Sequence, residues 1–208
     1  MTNRQQKIIV YIDGFNLYYG IRSLGQSYKW LNAEVLANSF VELNNTIVSV
    51  KYFTTKLNGN NEDVYRQAIY LDALKRCCSK TKIIMGFFTK ARKCKNCNSK
   101  NNEEKQTDVN IACEIMQDCY EDNFDIAYLV SGDSDLVSPV KKTLELGKTM
   151  IIAFPPNRTS KELIKVATSH FYIDGNRLKK CQLPDKIITK RNPLKRPEKW
   201  TKKETIGI

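Results

Sequence analysis

The chain has 208 residues and a single histidine, His170. A Ser-His-Asp triad, a His-pair ribonuclease centre or a His-rich zinc hydrolase site is hard to assemble from one imidazole. If the chain is a hydrolase, carboxylates or a metal ion must carry the proton work. Long apolar runs are also missing. Nowhere do ~18 consecutive apolar residues occur, and the start "MTNRQQK" leads into only a short apolar segment rather than a secretory leader. The expectation is a cytosolic protein with no membrane partner, whose seven cysteines are reduced thiols. No internal repeat of useful length is present; the two copies of "YIDG", at 11–14 and 172–175, share four letters and little else.

What the chain has in surplus is positive charge. Its 34 Lys and Arg against 22 Asp and Glu leave a formal net charge of +12, which favours a polyanionic partner such as nucleic acid. From Leu178 to Ile208 there are ten basic and three acidic residues, together with Pro184, Pro193 and Pro197. That composition suggests a basic tail over 178–208 following a domain over 1–177.

Apolar β-branched runs at 7–13, 46–57, 82–89, 124–130 and 148–154 read as buried strands, with a short closing strand at 171–174. Between them, amphipathic spacing predicts helices over 14–24, 32–43, 61–78, 107–120, 135–147 and 159–168, with Asn32 and Thr107 as N-cap candidates and Gly147 as a C-cap. Residues 90–104 read as a polar loop. Strands alternating with helices imply an α/β fold with a mainly parallel sheet covered on both faces, and in such sheets ligands bind beyond the carboxyl ends of the strands.

Asp13 ends the first strand, while Asp133 and Asp135 follow the fourth in "LVSGDSD". Asp108 lies in the first turn of the preceding helix, in line with Ala112, Ile115 and Cys119 at helical spacing. Carboxylates gathered in one crevice need a compensating cation, and hard oxygen donors without histidine suit Mg²⁺ or Mn²⁺. Taken singly, each acid also has an ordinary reading: Asp133 as an Asx-turn, Asp135 as a helix cap.

The stretches "YIDGFNLYYG", "EEKQTDVNIACEIM" and "YLVSGDSDLVSPVKKTLELGKTM" together resemble the NYN domain family, in its LabA-like branch of the PIN-like nucleases, over roughly residues 7–175. That resemblance implies a PIN-like three-layer α/β/α sandwich, an acidic cluster binding Mg²⁺ or Mn²⁺, and phosphodiester hydrolysis, usually of RNA. It assigns Asp13, Asp108, Asp133 and Asp135 to the acidic positions and Asn16 to the Asn of the family's "DGxN" start, with Ser131 and Ser134 as supporting hydrogen-bond partners. Lys105 reads either as a phosphate contact or as a solvated lysine.

Two features lie outside that pattern. Cys94 and Cys97 form a C-x-x-C whose nearest companions are the adjacent Cys77 and Cys78. This reads as part of a structural Zn²⁺ site, as a half-site completed in a homo-oligomer, or as a remnant without metal. Cys113, Cys119 and Cys181 read as small apolar residues. In the tail, Lys190, Arg191, Lys195, Arg196 and Trp200 suit sequence-tolerant contact with nucleic acid, by phosphate pairing and stacking, or else form a solvated tail. The expected function is a metal-dependent nuclease. The competing readings are a non-catalytic nucleic-acid-binding module and a small-substrate phosphatase or nucleotidase.

Overall fold

In β1 (Lys7–Asp13) every residue after Lys7 is buried, which places the strand at the centre of the sheet. The computed structural model describes residues 5–42, 45–57, 61–88, 92–93, 100–101, 104–189 and 192–201. On one side of β1 lie β2 (Thr46–Thr55) and then β3 (Thr81–Phe88). On the other side lie β7 (Ile126–Val130), β8 (Thr149–Phe154) and β9 (Ser169–Tyr172). These six strands are all parallel. Within the stretch expected as a loop, β4 (Arg92–Lys93) and β5 (Lys100–Asn101) pair antiparallel, and β6 (Glu104–Lys105) adds an antiparallel edge to β3.

The alternating faces of β1 seed two cores. Ile8, Val10 and Ile12 pack with α1 (Gly14–Leu24), α2 (Ala33–Asn38) and α3 (Glu62–Cys77). Ile9 and Tyr11 pack with α4 (Thr107–Tyr120), α5 (Val137–Glu145) and α6 (Lys161–Val166). The result is the expected three-layer α/β sandwich. Local signals explain the helix ends. Asn32 caps α2, accepting from the backbone N–H groups of Glu34 and Val35 at 3.0 Å each. α5 closes in a Schellman motif, with Gly147 at φ 77°, Gly147 N–H to Leu144 C=O at 2.9 Å and Lys148 N–H to Thr143 C=O at 3.2 Å.

Several expectations change. Thr107 is the first residue of α4 rather than its cap. It is buried, with its hydroxyl 3.2 Å from that of Thr55. The core-facing stripe of α4 is Thr107, Ile111, Ile115, Asp118 and Cys119, so Asp108 sits one step round the helix and is exposed. Cys113 is exposed as well, whereas Cys119 and Cys181 are buried.

The boundary at residue 177 also moves. Asp174 caps α7 (Gly175–Lys180) by accepting from Arg177 N–H at 2.7 Å. The chain then returns to the first core with Leu178, Cys181, Leu183, Ile187 and Trp200. It is clamped there by Leu183 N–H to Trp30 C=O at 2.9 Å and by the Trp30 indole N–H to Pro184 C=O at 2.8 Å. β10 (Lys186–Ile187) and β11 (Leu194–Lys195) form a small antiparallel pair on the way. Among the described residues, no helix is long and apolar enough to cross a membrane.

Candidate functional site

The chain leaves β1 toward β2 on one side, and enters β7 on the other. The β1–β7 border is therefore the point where the winding reverses, and loops from the two strands part to opposite faces. Asp13 ends β1 there, and Ser131–Asp135 follow β7. Asp13 is 4% exposed. One carboxylate oxygen accepts the backbone N–H of Asn16 at 2.9 Å, capping α1; the other accepts the Ser131 hydroxyl at 2.9 Å. The Asn16 side-chain oxygen accepts Gly132 N–H at 3.0 Å, and the Ser131 hydroxyl oxygen accepts Asp133 N–H at 3.1 Å. Both expected supporters of the acid, Asn16 and Ser131, thus bridge the switch point.

Burial pushes the Asp13 carboxyl up to about 7. The hydrogen bonds from Asn16 and Ser131 pull the other way, and the negative charges of Asp108 and Asp133 raise it further. Those two acids are therefore its electrostatic neighbours. Asp133 also makes the anticipated Asx-turn, accepting Asp135 N–H at 3.0 Å. Asp135 and Ser134 are exposed in the 3₁₀ turn Ser134–Leu136, and Asp135 is not among the leading influences on Asp13.

Among the described residues, no three His, Cys, Asp or Glu side chains form a ready-made metal cage. The donor chemistry nevertheless fits Mg²⁺ or Mn²⁺. It consists of oxygen atoms only, with like charges repelling one another. Mg²⁺ typically keeps several waters and takes one or two carboxylates, the rest of its shell coming from substrate phosphate.

The other expected site residues divide in two. Cys94, Cys97, Lys190 and Arg191 lie outside the described residues, as does the side chain of Lys105. Cys78 is not a zinc ligand in waiting: its buried thiol donates to the Asn32 side-chain oxygen at 3.3 Å, and burial raises its proton affinity, the opposite of what a thiolate ligand requires. Arg196 and Trp200 are corrections. The Arg196 side chain is 9% exposed and pairs with Asp185 at 3.1 Å and the Gln182 side-chain oxygen at 3.2 Å. Trp200 is buried against Trp30 and Tyr70, with ring centroids 6.3 and 6.1 Å apart. Only Lys195 remains exposed from the described part of that group.

Arg158 was missed by sequence reasoning. It lies in the loop after β8, on the same sheet edge, and a Cβ on Gly132 would sit 2.6 Å from its carbonyl oxygen. Its exposed guanidinium lies 5.4 Å from the Tyr19 ring centroid. The signal was an arginine in the third loop of that edge.

The model of the NYN domain matches residues 7–174. The chain belongs to the NYN domain family. NYN domains are PIN-like and usually nucleases. This NYN domain is 28% identical to 6-hydroxy-3-succinoylpyridine 3-monooxygenase HspA of Pseudomonas putida (strain DSM 28022 / S16), a match spanning 92% of this chain and 74% of that protein. It shares its fold with the crystal structure of a protein of unknown function from Vibrio parahaemolyticus RIMD 2210633, with a TM-score of 0.60, 19% identity and coverage of 85% and 98% of the two chains.

Proposed function

We propose that this NYN domain is a metal-dependent nuclease that hydrolyses phosphodiester bonds, RNA in preference to DNA. The observation that carries the reading is Asp13: a buried carboxylate at the switch point, fixed through both oxygens and repelled by Asp108 and Asp133. A divalent cation held there would act as a Lewis acid on the scissile phosphate and make water a better nucleophile near neutral pH. Asn16 and Ser131 fix the direction in which Asp13 presents its oxygens. Asp108 and Asp133 supply further anionic oxygen beside it. Arg158 offers an exposed cation to a neighbouring phosphate, and the +12 surplus draws a polyanion toward the molecule.

The test is incubation of the purified protein with labelled single-stranded RNA and DNA, with and without Mn²⁺, beside Asp13→Asn and Asp133→Asn. Cleavage of RNA that needs the metal and both acids is the expected result. Retained cleavage in both variants overturns the assignment. Salt-sensitive binding without cleavage in either metal returns the non-catalytic reading. A second reading has one observation in its favour. A cavity of about 240 Å³ lined by aromatic rings lies beside Gly14, and the Pseudomonas relative is named for oxygenating a hydroxylated pyridine. Turnover of a hydroxypyridine without any nucleic-acid cleavage would favour a small aromatic substrate.

A further inference from the structure

The aromatic cavity has a composition that nucleic-acid cleavage at Asp13 alone does not explain. Rings of Tyr18, Tyr52, Tyr70 and Trp200 line it, and Gly14, the residue after Asp13, forms part of its wall. Tyr52 forms the partition between the cavity and the acid site: a Cβ at Gly14 would lie 2.9 Å from two of its ring carbons and 2.5 Å from the Phe53 carbonyl oxygen. Any larger residue at 14 would force that partition to shift.

One cation belongs to the cavity. Lys29 is 7% exposed and lines the space. Its ammonium donates to the Tyr18 hydroxyl at 2.9 Å and lies 4.4 Å from that ring's centroid. The structure thus combines several π faces, one buried ammonium and a volume of about 240 Å³ next to the carboxylate cluster. Sites for drug-sized ligands run to roughly 300–1,000 Å³, so this space suits a single ring system.

We propose that the cavity seats one unstacked nucleobase of the nucleic-acid chain, so that the adjoining phosphodiester lies at Asp13. This rests on the nuclease reading and gives that site its substrate handle. Every base has a π face, so aromatic rings hold bases with little regard to sequence. A buried ammonium suits the carbonyl edge or the phosphate of a nucleotide and disfavours a cationic ligand. The docking of residues 178–201 then acquires a second role: Trp200, withdrawn from the surface, completes the cavity wall.

Trp30 and Trp200, with centroids 6.3 Å apart, make the cavity observable by intrinsic fluorescence. The full chain is titrated with AMP and UMP, with ribose 5-phosphate and pyridine-3-carboxylate as comparisons. Saturable quenching by the nucleotides and none by the sugar phosphate is expected. Tyr18→Ala and Lys29→Met should each weaken nucleotide binding about tenfold, within the range that base–aromatic stacking is worth, with unchanged circular dichroism.

Nucleotide binding that is absent, or equal in wild type and both variants, overturns the proposal. So does binding of the pyridine carboxylate in place of the nucleotides. The readout needs no turnover, so the two ideas fail separately. RNA cleavage without base binding removes only the cavity's role; base binding without cleavage supports the cavity and removes only the nuclease.

Discussion

Asp13 holds a negative charge where burial makes charge costly. Its carboxyl is raised from 3.8 to about 7, burial first, with the Asp108 and Asp133 charges adding to it. Between about pH 4 and 7 the folded chain keeps a proton there that the unfolded chain has lost. Stability from this group is therefore complete below about pH 4 and is lost as pH rises through 7. Asp13→Asn should be more stable than wild type at about pH 8 by roughly 2–4 kcal/mol, and no more stable at about pH 4. Urea melts in metal-free buffer at the two pH values check this, and Mn²⁺ should raise the wild-type midpoint at the higher pH while leaving Asp13→Asn unmoved. Ser131→Ala removes the donor to the second oxygen of Asp13. It should lower cleavage about 10–100-fold with the Asn16 contact intact, as read by single-turnover rates. Asp13 was legible in the sequence because an apolar run ending in Asp marks a strand's carboxyl end. Its bond to Ser131, 118 positions away, was not.

At the scale of elements, β2 and α4 are joined by charge within the second core. Lys51 in β2 pairs with Asp118 and with Glu114, the latter at 2.6 Å, both in α4. The Tyr11 hydroxyl of β1 donates to Asp118 at 2.6 Å, and burial together with that contact pushes the phenol's proton affinity upward. Removing one member of such a network leaves a buried charge uncompensated. Lys51→Met should therefore destabilise the fold by about 3–5 kcal/mol, measured by chemical denaturation at neutral pH. Helix starts at Asn32 and Asn61 follow local capping chemistry, accepting from backbone N–H groups two or three residues on. α4 does not: Gln106 takes φ 74° ahead of it and makes no side-chain cap, so no local cap signal marks that boundary.

For the whole molecule, the return of residues 178–201 to the first core decides how much of the chain is domain. Composition alone reads this stretch as a basic, proline-broken tail. Yet Leu178, Cys181, Leu183, Ile187 and Trp200 are all buried in the cluster that holds Trp30 and Tyr70. Trp200→Ala should cost about 3–5 kcal/mol, and a chain ending at residue 177 should lose more, both measurable as a fall in thermal midpoint. A tail that did not pack would leave the midpoint unchanged.

By itself the sequence determined the alternation of strands and helices, the placing of Asp13 and Asp133 at strand ends, the basic surplus and the poverty in histidine. Each of these is written in local periodicity, capping chemistry or simple counts. The tertiary structure alone decided that β7 lies beside β1 rather than beside β3. That neighbour relation brings Ser131 to Asp13 and creates the switch point. It alone turned Asp108 outward, buried Trp200 and opened the cavity behind Gly14. These contacts join residues far apart in the chain. They are set by which apolar faces cover one another across the whole sheet, a competition that no local stretch of sequence records.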